Sequence, residues 1–160
     1  MAALMTVVPS LLTFLLSFLY LGIYWNNNHH MLQLTSRING GVLWANLHLL
    51  FWLSLLPFVT AWMNRSELSR LPVALYGVVL LFAAIAYTIL QSTIIRAEGQ
   101  GSRLKVAIGS DIKGKISLAA YVAGFLIAWQ LPIASIAIYS GVALMWFMPD
   151  KPIENEIGSR

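Results

Sequence analysis

Charge is what this sequence has least of. Asp, Glu, Lys and Arg make up 10% of the 160 residues, where a soluble domain carries about 25%. Hydrophobic residues make up 59%, and the mean hydropathy is +0.75. All six carboxylates fall in loops or in the tail. A hydrolase needs a nucleophile with a base and an orienting group, and no apolar run supplies that set. An ion-coupled transporter normally keeps an ionisable carboxylate near the bilayer midplane, so that reading is disfavoured too. Cysteine is absent, which excludes a disulfide frame and thiolate chemistry. No Gly-rich phosphate loop is present, and no cofactor is implied. No soluble stretch is long enough for a second domain. The net charge of +4 comes from basic residues in short loops between apolar runs, which form no basic domain and point to no nucleic-acid partner. No basic segment precedes the first apolar run, so it does not read as a signal peptide.

What is there is a succession of long uncharged runs, and the fold class they imply is an all-α membrane protein, a bundle of five transmembrane helices. A crossing helix needs about 20 apolar residues. The expected spans are 4–25, 42–63, 71–95, 113–130 and 132–148. The second organises the rest. It has no formal charge but holds an asparagine, a histidine and three tryptophans. At 100° per residue Trp44, His48, Trp52, Leu55 and Trp62 fall on one side, and Asn46 roughly opposite. Polar side chains at membrane depth are costly without partners, so this helix is expected to be wrapped by its neighbours. Pro57 removes a backbone donor and is a candidate kink.

In the first span Ser10, Thr13, Ser17, Tyr20 and Tyr24 recur at helical spacing as one polar stripe. Such a stripe either bonds across to another helix or lines an aqueous path. Tyr24 and Trp25 read as an interfacial aromatic pair, and residues 26–41 as a cap and loop. In the third span Tyr76, Tyr87 and Gln91 share a face, and Pro72 suits a helix start. Residues 116–148 would form a helix about 50 Å long, well beyond the ~30 Å hydrocarbon core. Gln130, Leu131 and Pro132 near the middle suggest two short spans with a tight turn, or a hairpin that does not fully cross. Ala120, Gly124 and Ala128 form a ridge of small residues, and Ala137 with Gly141 a second; such ridges let helices approach closely. Pro149 should stop the last helix before a polar tail.

Five spans put the termini on opposite sides. Arg37, the five basic residues of the 96–115 loop, Lys151 and Arg160 share one side, and only Arg65 and Arg70 the other. The positive-inside rule makes the first side cytoplasmic, with the C-terminus inside and the N-terminus outside. A helix crossing upstream would remove the oddity of a short external N-terminus.

The three histidines do not make a metal site on this pattern. His29 and His30 are adjacent, and no cysteine or intramembrane carboxylate completes a shell. Interfacial histidines, with one hydrogen-bonded core histidine at position 48, are the plainer reading.

Three stretches are more specific than membrane composition requires: GIYWNNNHH at 22–30, GGVLWANLHLLFWLSLLPFVT at 40–60 and LPVALYG at 71–77. They resemble the prokaryotic members of the transmembrane protein 175 family of potassium channels, closely over residues 11–91. The resemblance implies a potassium-preferring cation channel in the cytoplasmic membrane of a prokaryote. It further implies subunits of six helices, four of them around one pore, with the lipid bilayer and potassium ions as the other partners. In the family the first helix lines the pore with bulky apolar residues and carries an Arg-xxx-Phe-Ser-Asp signature that polar residues of the next two helices hold, so the resemblance implies that the pore-lining helix is absent from this sequence. The matching positions here are His30, Trp44, Asn46 and His48. No Phe-Ser-Asp occurs in this sequence, and its first span matches the family's second helix. The expectation is either a start codon placed too late or a natural truncation. The alternative function is a non-conducting, degenerate or structural member of the same family.

Overall fold

The computed structural model describes residues 2–109 and 111–147, and among these the chain is helical throughout, with no strand. In order come α1 (Ala2–Leu34), α2 (Gly40–Ser54), α3 (Leu56–Arg65), α4 (Arg70–Glu98), a 3₁₀ turn (Gly99–Gly101), α5 (Arg103–Ile108), α6 (Ile112–Ile127) and α7 (Pro132–Phe147). The protein is an all-α membrane protein. Among the described residues, two stretches, Gly40–Arg65 and Arg70–Glu98, are long and apolar enough to cross a bilayer. The expected end of the last span at Met148, the stop at Pro149 and the tail lie outside the described residues.

The first correction concerns the polar stretch after residue 25. It is not a loop: α1 runs on through Asn26, Asn27, Asn28, His29 and His30 to Leu34. Asparagine and histidine cost only a few tenths of a kcal/mol each in a helix. Met31 and Leu34 continue the buried line of Tyr20 and Tyr24, and their packing outweighs that cost. The described buried side chains of α1 run from Thr13 to Leu34, so its packed length lies further along than 4–25. Tyr24 and Trp25 point apart. Tyr24 is buried edge-on to Tyr87 of α4 at 6.0 Å, while Trp25 points outward and stacks on His29 at 5.5 Å. The true link is residues 35–39. There Ser36 donates to the Glu98 carboxylate at the end of α4 from its backbone N–H (2.8 Å), and Asn39 caps α2 by accepting from the Val42 N–H at 3.0 Å.

The helix break in 42–63 falls at Leu55, two residues before Pro57. Pro57 cannot donate to the carbonyl one turn back, and the chain tightens to a bond from the Leu55 N–H to the Trp52 carbonyl at 3.2 Å. The second correction is that 42–63 is not wrapped by its neighbours. Its buried residues, Val42, Ala45, Leu49, Leu53, Leu56, Val59, Thr60 and Met63, make one stripe at helical spacing. Leu43, Trp44, Leu47, Leu50, Phe51 and Phe58 face outward. The enclosed helix is α4, which packs against α2, α3, α6 and α7. Glu67 (φ 50°) and Leu68 (φ 60°) turn the chain into it in the left-handed region, and Gly99 (φ 76°) ends it.

Residues 112–147 form the helical hairpin expected around Gln130. Asp111 caps α6 by accepting from the Gly114 N–H at 3.2 Å. Ser135 of α7 donates to the Gly124 carbonyl of α6 at 2.7 Å. Of the small-residue ridges, Gly124 and Ala128 are buried, whereas Ala137 and Gly141 face outward. The Tyr139 ring sits between α4 and α6. A Cβ on Gly77 would lie 2.0 Å from its hydroxyl, and one on Gly124 would lie 2.3 Å from its ring. The Tyr139 hydroxyl is buried without a hydrogen-bond partner among the described residues.

That arrangement makes opposite predictions for two kinds of substitution. Gly124→Ala should overpack the slot and cost about 1–3 kcal/mol. Tyr139→Phe removes an unpaired buried hydroxyl and should be neutral or stabilising by about 1 kcal/mol. Thermal unfolding of the purified protein in detergent checks both, and a strongly destabilised Tyr139→Phe would refute the packing described.

Candidate functional site

The polar stripe of α1 faces the other helices. Thr13 donates to the Asn64 side chain at the end of α3. Ser17 bonds to the Thr60 hydroxyl of α3 and lies 3.2 Å from the Tyr76 hydroxyl of α4. Thr60 gives its single proton to the Leu56 carbonyl at 2.7 Å. A hydroxyl has one proton to donate, so Ser17 must be the donor to Thr60 and the acceptor from Tyr76. The result is a directed chain from Tyr76 to Ser17 to Thr60 to a backbone carbonyl. Tyr20 donates to the Tyr139 carbonyl of α7 at 2.5 Å. Ser10 lies on α1, but its side chain is outside the described ones.

Below this chain sits a ring of four tyrosines, one from each of α1, α4, α7 and α6. Tyr20 and Tyr76 have ring centres 6.4 Å apart, Tyr76 and Tyr139 5.8 Å, Tyr139 and Tyr121 6.4 Å, and Tyr121 and Tyr20 6.3 Å. All four are at most 1% exposed. Tilted and edge-on contacts at these separations are the favoured aromatic geometries. Tyr24 and Tyr87 extend the cluster to Trp146 (Tyr87 to Trp146, 6.4 Å). All six tyrosines of the chain thus belong to the bundle interior. Trp146 donates from its indole to Ser117 at 2.8 Å, which itself donates to the Lys113 carbonyl. A cavity of about 30 Å³ remains among Tyr24, Asn27, Tyr87, Asp111 and Ser117. That is room for a water or two where polar partners exist.

The four residues expected to act as one network do not come together. Asn46 accepts from the Asn28 amide at 3.0 Å, across α1 and α2. His48 is not buried. It is exposed and accepts from the Trp52 indole at 3.0 Å within α2. Trp44 is 73% exposed. His30 is half-buried on α1, its ring tilted against His29 at 6.2 Å. The reason is helical geometry. Residues 44, 48 and 52 share a face at i, i+4 spacing, and the buried stripe of α2 takes another face. Asn46 lies off both, toward α1. The sequence reading missed Asn28, Asn64, Thr60, Tyr121 and Tyr139. Asn28 could have been found as a polar residue one turn beyond Tyr24. The others pair across more than 40 residues of chain, a distance that leaves no local trace.

The family model described as "Endosomal/lysosomal potassium channel TMEM175" matches residues 1–57, that is, α1, α2 and the start of α3. A protein named as a potassium channel from Chryseobacterium sp. (strain P1-3) is 49% identical over 156 residues, which is 98% of this chain and 81% of that relative. The chain belongs to the TMEM175 potassium channel family. A second protein named as a potassium channel, from Streptomyces collinus (strain DSM 40733 / Tue 365), is 25% identical over 117 residues, 64% of this chain and 57% of its own length. No solved structure gives a significant match. Identity with the Chryseobacterium relative continues through α4 to α7, past residue 91, where the sequence motifs alone end. The family is one of channels, not a class of enzymes.

The hydroxyl chain gives a measurable coupling. Ser17→Ala should cost about 0.6–2 kcal/mol, the range for interhelical polar contacts in membranes. Tyr76→Phe should cost less once Ser17 is already alanine than it does alone. A double-mutant cycle on unfolding in detergent reads this, and strictly additive costs would contradict the directed chain.

Proposed function

We propose that the chain is a subunit of a potassium-preferring cation channel, that four copies surround one pore, and that ions pass between subunits rather than through one. The observation that carries the last point is the four-tyrosine ring, which fills the bundle interior with close-packed aromatic groups. The family relationship and the names of the relatives support potassium as the ion. The channel reading needs no cofactor and no catalytic residue.

The outward face of α2 supports an assembly. At Trp44, Leu47, His48, Leu50 and Phe51 a histidine stands in an apolar surface. A titratable group at membrane depth is expected to face protein or a water-filled path. On this reading, neighbouring subunits or the conduction path cover that face, and His48 contributes to assembly through it. The polar positions His30, Trp44, Asn46 and His48 then act in two places, His30 on α1 and Asn46 bonded to α1, and Trp44 with His48 at a subunit boundary.

The proposed location is the cytoplasmic membrane of a prokaryote, with α1, α2–α3, α4, α6 and α7 crossing. Crossing by the short hairpin is supported by height. Pro132 precedes Tyr139 by seven residues, as Thr13 precedes Tyr20, so the hairpin turn rises about 10 Å above the Tyr20–Tyr139 bond, as Thr13 does. Thr13 in turn is level with Asn64, at the end of α3. The distribution of basic residues supports a cytoplasmic C-terminus. A reporter fused after Arg160 should be active only in its cytoplasmic form, and periplasmic activity there would overturn this topology.

The function is tested by reconstituting the full gene product in liposomes with a potassium gradient. A potassium flux exceeding that of sodium is expected, and His48→Leu should lower both that flux and the oligomer mass seen by light scattering. A protein that inserts and assembles but passes no ion would favour the non-conducting alternative.

A further inference from the structure

Between α1 and α7 the bundle surface is open. A groove of about 360 Å³ runs along Leu12, Leu16 and Leu19 of α1 and Ile136 and Leu144 of α7. A second cavity of about 230 Å³ continues it, sharing Leu19, Ile23 and Phe147, and ends at Asn26, Asn27 and Trp146. The opening has a sequence cause. Its α7 wall includes the small residues Ser140 and Ala143, and its α1 wall Gly22, where an added Cβ would meet nothing within 4 Å. The groove is therefore apolar along most of its length and polar at one end. The Lys113 ammonium stands 5.7 Å from the centre of the Trp146 ring at that end. The expected 96–115 loop is instead the end of α4, the 3₁₀ turn, α5 and the start of α6, and it carries Arg96, Arg103, Lys105, Lys113 and Lys115.

We propose that this groove is a binding site for one anionic phospholipid, its acyl chain along Leu12 to Ile23 and its phosphate at Asn26, Asn27 and Lys113. Length fits the assignment. Leu12 to Asn27 is fifteen residues, about 22 Å of helix, enough to lay one extended phospholipid along the groove, whose length from headgroup to chain end is about half of a 40–45 Å bilayer. Chemistry fits as well. The apolar wall has hydrocarbon as its natural neighbour in a membrane, whereas the amide donors and a cation at the end match a phosphate rather than another helix. Trp146, with its indole N–H already bonded to Ser117, borders the polar end of the groove, as suits a residue type enriched at membrane boundaries. The basic residues of this segment would raise the local concentration of anionic lipid. The inference extends beyond the channel reading and stands on the membrane assignment alone.

The test is native mass spectrometry of the purified protein titrated with palmitoyl-oleoyl phosphatidylglycerol and with the corresponding phosphatidylcholine. The parent should bind the glycerol lipid about fivefold more tightly, the effect of one basic side chain near a headgroup. Lys113→Gln should erase that preference while leaving phosphatidylcholine binding unchanged. Ser140→Phe, which fills the groove, and Leu144→Trp, which obstructs it from the exposed rim, should each lower the occupancy of both lipids. No preference in the parent, or a preference unchanged in Lys113→Gln, would overturn the headgroup assignment. Unchanged lipid occupancy in both groove variants would overturn the site. A change of oligomer mass in those variants with lipid binding intact would assign the groove to a second copy of the chain instead.

Discussion

The seat of Tyr139 is the constraint on which the rest of the bundle depends. Its ring occupies the space that side chains on Gly77 and Gly124 would need, so α4, α6 and α7 approach as closely as they do because two of them lack a Cβ there. Its carbonyl holds the Tyr20 hydroxyl, which fixes α1 to the same point. In a membrane the lipid is as apolar as the core, so association of helices rests on close packing and interhelical hydrogen bonds. Tyr139 supplies the packing and receives one of the bonds. The unpaired hydroxyl is a cost the packing carries.

The same logic governs the polar residues elsewhere. Hydrocarbon offers no hydrogen-bond partner, so each hydroxyl or amide in a span needs one from the protein. Ser17, Thr60 and Tyr76 satisfy one another across three helices, and Ser135 uses a backbone carbonyl. The Trp52 indole is satisfied by His48 within its own helix. Polar groups on α1 thus set which helices meet, and on the outward face of α2 His48 and Trp52 are already paired before any assembly. An assembly across that face covers a His–Trp unit, not a bare imidazole.

Much of the helix layout was legible in the sequence because charge and length force it. Loop charges bracket the helices, Pro132 opens α7 and a run too long for one crossing divides near Gln130. The extension of α1 was not legible. Residues 26–30 are polar and lack helix-favouring types, and only the burial of Met31 and Leu34, a tertiary effect, carries the helix through them. The enclosure of the second apolar stretch was misjudged for a related reason. Its apolar residues cover all sides, so periodicity could not tell a side facing protein from a side facing lipid. The stripe from Thr13 to Tyr24 was visible as a stripe, yet its partners Asn64, Thr60 and Tyr139 are far along the chain.

Closure of the interior places the ion-handling surfaces. Four tyrosines with neutral hydroxyl chains above them leave no continuous water column among the described residues, and the interior carries no ring of charge or row of free carbonyls of the kind that selects ions. Backbone carbonyls at the core already accept from Tyr20 and Ser135. On the proposed assembly, a pore between subunits meets the outward faces of the bundles, and those described are mostly bulky and apolar, with Phe14, Phe18, Trp44 and Phe51 all more than half exposed. A pore walled by such faces would discriminate by constriction and wetting rather than by a carbonyl cage. On that proposal the stiffness of the tyrosine core would bear on selectivity, because a constriction holds its width only as well as the bundles behind it hold their shape.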